Sequence, residues 1–176
     1  SNFKGIKNFT LDTQGGNVFV YGDNGTGKTT LSDAWHWLLF GKDSRDQANF
    51  EIKTLDENNE PLHNLEHGVE GVLEIDGKEL QLKRIYREVW EKKKGAAKET
   101  FSKHTTDYYI NEVPVKAGEY NDRISEIIDE NIFKMLTNPA YFNEVLHWEK
   151  RRDILIEIAG DITDEEVISS DKKLSK

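Results

Sequence analysis

Apolar positions change their period twice along this chain. Residues 17–21, Asn-Val-Phe-Val-Tyr, form a short β-branched and aromatic run that stops at Gly22, which predicts a buried strand feeding a tight loop. Over residues 28–40 the spacing turns helical: Leu31, Ala34, Trp35, Leu38 and Leu39 fall at i, i+3, i+4, i+7 and i+8, with Gly41 as the stop. Trp35 lies on that apolar face and is expected in the core. Residues 50–55 read as a strand and 56–61 as a polar turn, after which Val69, Gly71, Leu73 and Ile75 alternate. Asp76-Gly77 signals a hairpin whose return strand runs from Glu79 toward Trp90. Residues 92–104 make a charged tip, and residues 106–110 turn through Asn111-Glu112 into Val113-Pro114-Val115, so the middle of the chain reads as antiparallel. Beyond Gly118 the helical period returns, with Tyr120, Ile124, Ile127 and Ile128 on one face. A further helix is expected over residues 148–159, carrying Ile154, Leu155 and Ile158 and ending at Gly160. Thr163 with Glu166 forms a capping box for a last helix. No internal repeat is present.

Composition narrows the classes. A length of 176 residues suits one domain with a small appendage, and an aromatic content of 10% argues against disorder. The net charge of -9 argues against a domain that coats itself in nucleic acid through its overall field, so any such contact must be local. Without cysteine there is no disulfide, thiolate metal site or cysteine nucleophile. No apolar run reaches membrane-spanning length and no signal-peptide order opens the chain, which makes the cytoplasm the expected compartment. The chain opens on Ser1 and stops at Lys176 inside a helical pattern, so further sequence is expected on the C-terminal side.

The chemistry concentrates between the first strand and the first helix. Gly22-Asp23-Asn24-Gly25-Thr26-Gly27-Lys28-Thr29 fits G-x-x-x-x-G-K-[ST], a pattern that average residue usage produces by chance in under about 1% of chains this long. Glycines let successive N–H groups turn inward on phosphate oxygens, and the positive end of the following helix adds to that cradle. Asp23, Asn24, Gly25, Thr26, Gly27, Lys28, Thr29 and Thr30 are therefore the candidate nucleotide-binding residues. Lys28 is the residue expected to reach the β and γ phosphates and to matter for catalysis, and the Thr29 hydroxyl is the candidate Mg²⁺ ligand. A GTPase would add D-x-x-G and N-K-x-D after the loop, and neither is there. A Walker B strand is also missing: the nearest string, Ile127-Ile128-Asp129-Glu130, has helical periodicity, which leaves half a catalytic site.

The variant G-x-N-G-x-G-K-T-T, followed by Leu31-Ser32-Asp33-Ala34 and Trp37-Leu38-Leu39-Phe40-Gly41, resembles the N-terminal half of the ATPase heads of SMC and SbcC-like DNA-repair proteins. Asn2-Phe3-Lys4-Gly5 is similar to the N-F-[RK] element that follows the first strand in that family. Residues 133–161, with Thr137-Asn138-Pro139-Ala140-Tyr141-Phe142-Asn143-Glu144 and Arg151-Arg152, look like the Q-loop region and the helix entering the long coiled coil, most of all in AAA family ATPases of Gram-positive bacteria and their phages. The resemblance implies an α/β P-loop NTPase fold: an ABC-type head N-lobe over residues 1–160, with an antiparallel β subregion and flanking helices, and the truncated start of a coiled-coil helix over 161–176. It implies ATP and Mg²⁺ as cofactors. Asn138 stands where the family places the Q-loop glutamine that contacts Mg²⁺ and the attacking water; asparagine offers the same amide on a shorter arm. It further implies partners: the C-terminal half of the same protein, which would carry Walker B and the signature loop, a second head in a homodimer, DNA, and an SbcD-like nuclease. The function implied is ATP binding and hydrolysis coupled to double-strand break repair or recombination, with this segment inactive alone. Two other readings stay open: another P-loop NTPase or small-molecule kinase, and a noncatalytic scaffold fragment.

Weaker signals point to surfaces. Lys92, Lys93, Lys94, Lys98, Lys103 and His104, with Phe101 and Tyr108 nearby, could touch DNA or simply keep a loop solvated. Arg45, beyond the first helix, could reach phosphate in a closed dimer. His63, His67 and His147 lack companion metal ligands in the sequence.

Overall fold

A computed structural model of the chain describes residues 1–92, 94–95, 98–138, 140–160, 166, 168 and 170. They fall into two compact units, Ser1–Ile127 and Ile128–Lys176. The expected domain boundary at 160/161 falls within the second of these.

The first unit is an antiparallel sheet with a helical layer on one face. Helix α1 (Lys28–Phe40) precedes strands β1 (His67–Ile75), β2 (Lys78–Glu91), β3 (Thr100–Ile110) and β4 (Val113–Val115), and helix α2 (Ala117–Ile127) follows. The strands pair in chain order, so every connection is local. Asp76 and Gly77 both take positive φ, 51° and 73°, and this I′-like turn pins Ile75 opposite Lys78. Asn111 and Glu112 do the same between β3 and β4. With register set at the turns, alternation decides the faces: Leu80, Leu82 and Arg84 of β2 are buried under α1 and α2. Gly71 of β1 lets Trp35 and Leu38 of α1 approach so closely that an added Cβ would lie 2.9 Å from Leu38 Cδ2. Tyr120 of α2 packs on Tyr108 of β3 with ring centroids 5.1 Å apart.

Three sequence expectations change. Residues 17–21 form no strand: they have no ladder partner among the described residues, and Phe19 and Tyr21 are 78% and 86% exposed. A strand apolar on both faces needs neighbours on both sides, and the antiparallel sheet does not extend to it. Residues 50–55 yield only one bridge, Leu55 to Pro61. On α1 the fully buried tryptophan is Trp37, not Trp35. Trp35 is half-buried against Gly71 of β1, while Trp37 is enclosed with Phe3 and Ile52 in a cluster on which Val69 of β1 and Tyr86 of β2 also pack.

The second unit carries α3 (Glu130–Thr137), a π-helical turn (Tyr141–Val145) and α4 (Trp148–Ala159). Asp129 accepts the N–H groups of Asn131 and Ile132 at the start of α3, so the string closest to Walker B is a helix cap and no strand. α4 runs over the expected residues and ends at Gly160. Thr163 of the expected capping box lies outside the described residues.

Glu88 is the polar centre of the β2–β3 ribbon. Its side chain, 4% exposed, accepts from Lys53 Nζ at 2.6 Å, His63 Nδ1 at 2.9 Å, Trp90 Nε1 at 2.9 Å and the Asn64 N–H at 3.3 Å. Burial alone would raise the carboxyl, but Lys53, His63 and the other donors more than offset it and hold it down at about 2. A folded-state value below the ordinary 4.5 means that Glu88 stabilises the fold fully above pH 4.5 and loses that contribution as pH falls toward 2. Glu88→Gln should therefore lower stability at neutral pH and flatten the acid limb between pH 4.5 and 2, as read by urea unfolding across that window.

Candidate phosphate-binding site

The loop of residues 22–29 enters α1 through glycines in conformations that its motif needs, without a strand ahead of it. Gly27 caps α1 at φ 95°, ψ 11°, a left-handed conformation costly to any residue with a Cβ, and no side chain caps the first turn. At Gly22 an added Cβ would lie 2.8 Å from Thr26 Oγ1, whose hydroxyl donates to the Asp23 carbonyl at 2.8 Å and braces the bend. Asp23, Asn24, Gly25 and Thr26 are exposed, as is Thr29 in the first turn of α1, while Thr30 is half-buried there. Lys28 folds back over the loop, donating from Nζ to the carbonyls of Gly22 at 2.7 Å and Asp23 at 2.6 Å.

These residues fit a nucleotide triphosphate with Mg²⁺. The first-turn N–H groups lie at the positive end of a helix with no acidic residue in that turn. The Lys28 ammonium is already at the loop, bound to carbonyls that a phosphate can replace. Thr29, exposed in the first turn of α1, occupies the motif's Ser/Thr position, whose hydroxyl would hold the metal.

What holds α1 in place was only partly visible in the sequence. Asp33, 3% exposed, accepts from Lys4 Nζ at 2.5 Å, from Ser44 Oγ at 2.6 Å and from the Ser44 N–H at 3.0 Å. Burial pushes the Asp33 carboxyl up, but Lys4 and Ser44 outweigh it and leave it below its ordinary value. Phe3 sits between Trp37 and Phe50, with ring centroids 5.3 and 6.3 Å away. The Asn2-Phe3-Lys4 element is thus a clip over the middle of the phosphate-loop helix. A signal existed: Asp33 lies one turn before Trp37, a carboxylate inside an apolar face. At the far end of α1, Tyr120 donates to the Leu38 carbonyl at 3.0 Å, and burial pushes its hydroxyl up to about 12, so it stays protonated.

Other candidates find different surroundings. Asn138 ends α3 in the second unit, where its Oδ1 accepts the Ala140 N–H at 3.0 Å. Arg45 is exposed on the loop after α1, at the end of that helix remote from the phosphate loop. Lys92, Lys94 and Lys98 sit between β2 and β3, and Lys103 is exposed on β3; Lys93 lies outside the described residues. His104 stacks on Tyr86 at 5.2 Å and contacts Phe101 at 4.8 Å. His63 serves Glu88, His67 donates from Nδ1 to the Asn2 carbonyl at 2.6 Å, and His147 lies 3.5 Å from Glu149.

Comparison with known proteins agrees with the loop. The profile described as AAA domain matches residues 1–175. A segment of 52 residues is 36% identical to the DNA replication and repair protein RecF of Carboxydothermus hydrogenoformans, covering 30% of this chain and 15% of that relative. No solved structure matches the chain. Among the described residues no helix is long and apolar enough to cross a membrane.

The clip is testable apart from any ligand. Asp33→Ala removes the acceptor of two side-chain donors and strands Lys4 beside the core, which should cost about 1–3 kcal/mol in denaturant unfolding. Asp33→Asn should recover only part of that, since it keeps an acceptor for Ser44 but loses the charge.

Proposed function

The chain belongs to the AAA domain family, and from that premise we propose that it is the ATP-binding N-terminal half of an SbcC/SMC-like ATPase head. The observation that carries this reading is the phosphate cradle of residues 22–29, with Lys28 already folded onto it. Main-chain N–H groups of the loop and the first turn of α1 would bind the β and γ phosphate oxygens. Lys28 would exchange its two carbonyl partners for phosphate oxygens, a charge-assisted contact stronger than either. Thr29 would hold Mg²⁺, whose charge, when bound, neutralises that developing on the phosphates. Asn138 is proposed as the Q-loop amide; reaching a metal would require its Oδ1 to leave the Ala140 N–H.

Exposed apolar residues 18–21 support the second part of the proposal. A Val-Phe-Val-Tyr run leading into the phosphate loop, open on both sides, fits a strand whose neighbours come from the C-terminal half of the same protein. That half would also supply Walker B and the signature loop. A second head in a homodimer would close over the nucleotide, and ATP-driven engagement would act in DNA double-strand break repair or recombination in the cytoplasm. The naming of one relative as a DNA replication and repair protein supports the DNA link, although the chain spans only 15% of that relative. The lysines between β2 and β3 are the proposed DNA contact, and an SbcD-like nuclease the proposed further partner.

Titrating ATP with and without Mg²⁺ tests the site. Lys28→Ala should weaken ATP binding about tenfold to a hundredfold, the size of one charge-assisted contact, with the fold intact. Thr29→Ala should instead reduce the gain in affinity that Mg²⁺ gives. If both variants bind like the parent chain under both conditions, the nucleotide reading is wrong. Alone, the chain should bind ATP without multiple turnover; phosphate release abolished by Lys28→Ala would overturn the half-site reading.

A further inference from the structure

Arg84 is a buried cation, 4% exposed, on the sheet face covered by α1 and α2. Among the described residues no carboxylate pairs with it. Its guanidinium carbon lies over three aromatic rings, 4.9 Å from the centroid of Tyr108, 5.2 Å from Tyr120 and 5.5 Å from Trp37. Nη2 approaches the Leu39 carbonyl at 3.5 Å, and Nε has no hydrogen-bond partner. Burial lowers the affinity of this guanidinium for its proton, yet arginine keeps its charge in proteins.

A hydrophobic side chain of similar volume would fill this space without the desolvation cost, so packing alone does not account for an arginine here. The location does. Leu38 and Leu39 are in the last turn of α1, where unsatisfied carbonyls gather the negative end of the helix dipole. A cation held by ring faces suits that end. Gly41, φ 72°, completes the arrangement: an added Cβ would lie 2.5 Å from Arg84 Nη1. Tyr120 takes the neighbouring Leu38 carbonyl. The opposite end of the same 13-residue helix is the phosphate loop.

We propose that Arg84 is a positioning residue for that loop: with Tyr120 it locks the C-terminal turn of α1 to the sheet and so sets how the N-terminal turn meets nucleotide phosphate. The inference rests on the nucleotide-binding reading above. Coupling of this kind is reciprocal, so nucleotide bound at the loop also tightens the C-terminal turn.

The test uses the whole 176-residue chain. Arg84→Met keeps volume and removes charge and donors; it should leave the fold and its stability near the parent's while weakening MgATP binding about three- to tenfold, the range contact networks transmit. Hydrogen exchange of the nucleotide-free protein should quicken at residues 39–41 and also at the loop amides 25–29. A merely structural residue would loosen 39–41 alone and leave MgATP affinity unchanged, and that result overturns the proposal. Should Arg84→Met fail to fold, Tyr120→Phe, which removes the hydroxyl that bonds the Leu38 carbonyl and meets the Arg84 guanidinium, must show both effects in smaller measure or the proposal fails. Lys28→Ala separates the two readings. If it leaves MgATP binding unchanged, the nucleotide reading falls, while exchange at residues 25–29 still decides whether Arg84 sets the loop.

Discussion

A phosphate loop is only as well placed as the helix behind it, because its N–H groups are useful when they converge and useless when they wander. In this chain that helix, α1, is fixed by side chains that clip it from two directions. Phe3 and Lys4 hold its middle through Trp37 and the buried Asp33, and the sheet holds its last turn through Arg84 and Tyr120. Each contact spans a long stretch of chain, 29 residues for Lys4 to Asp33 and 82 for Tyr120 to Leu38. The loop depends on them because, among the described residues and apart from the ladder of α1 itself, its hydrogen bonds stay within residues 22–31.

Strand β2 carries two buried charges on one face and handles them differently. Glu88 is met by Lys53, His63, an indole N–H and a backbone N–H, a saturated network that ties the segment after α1 to the sheet. Arg84, four residues earlier, meets ring faces and a helix end and leaves one donor unused. The saturated charge is what a stable scaffold needs. The unsaturated one sits where the scaffold touches the phosphate-loop helix, and strain or cost retained beside a site is where function is to be sought.

The molecule also leaves apolar surface uncovered in particular places. Phe19 and Tyr21 stand open beside the phosphate loop, and Trp148, Leu155 and Ile158 are exposed on α4. Apolar groups in such runs have an unfavourable contact with water that a partner chain relieves. Both fit the proposal that this chain is half of a head: the first beside a sheet to be completed, the second on the helix proposed to lead toward a coiled coil.

Legibility followed the range of the interaction. The phosphate loop, the α1 helix with its glycine stop, the Asp76-Gly77 hairpin and the span of α4 could all be read from the sequence, because each depends on φ preferences and periodicity within a dozen residues. Whether residues 17–21 pair as a strand could not, since pairing is decided by a neighbour and not by β propensity. Helical spacing located an apolar stripe on α1 but put Trp35 at its centre. Only the tertiary structure, by bringing Phe3 and Ile52 against the helix, decided that Trp37 is the buried ring and that Asp33 is buried with it. Nothing local in the sequence of β2 singles Arg84 out among the strand's charged residues. Its role came from being placed under two helices at once, an arrangement that no local pattern encodes because it exists only when segments far apart in the chain pack together.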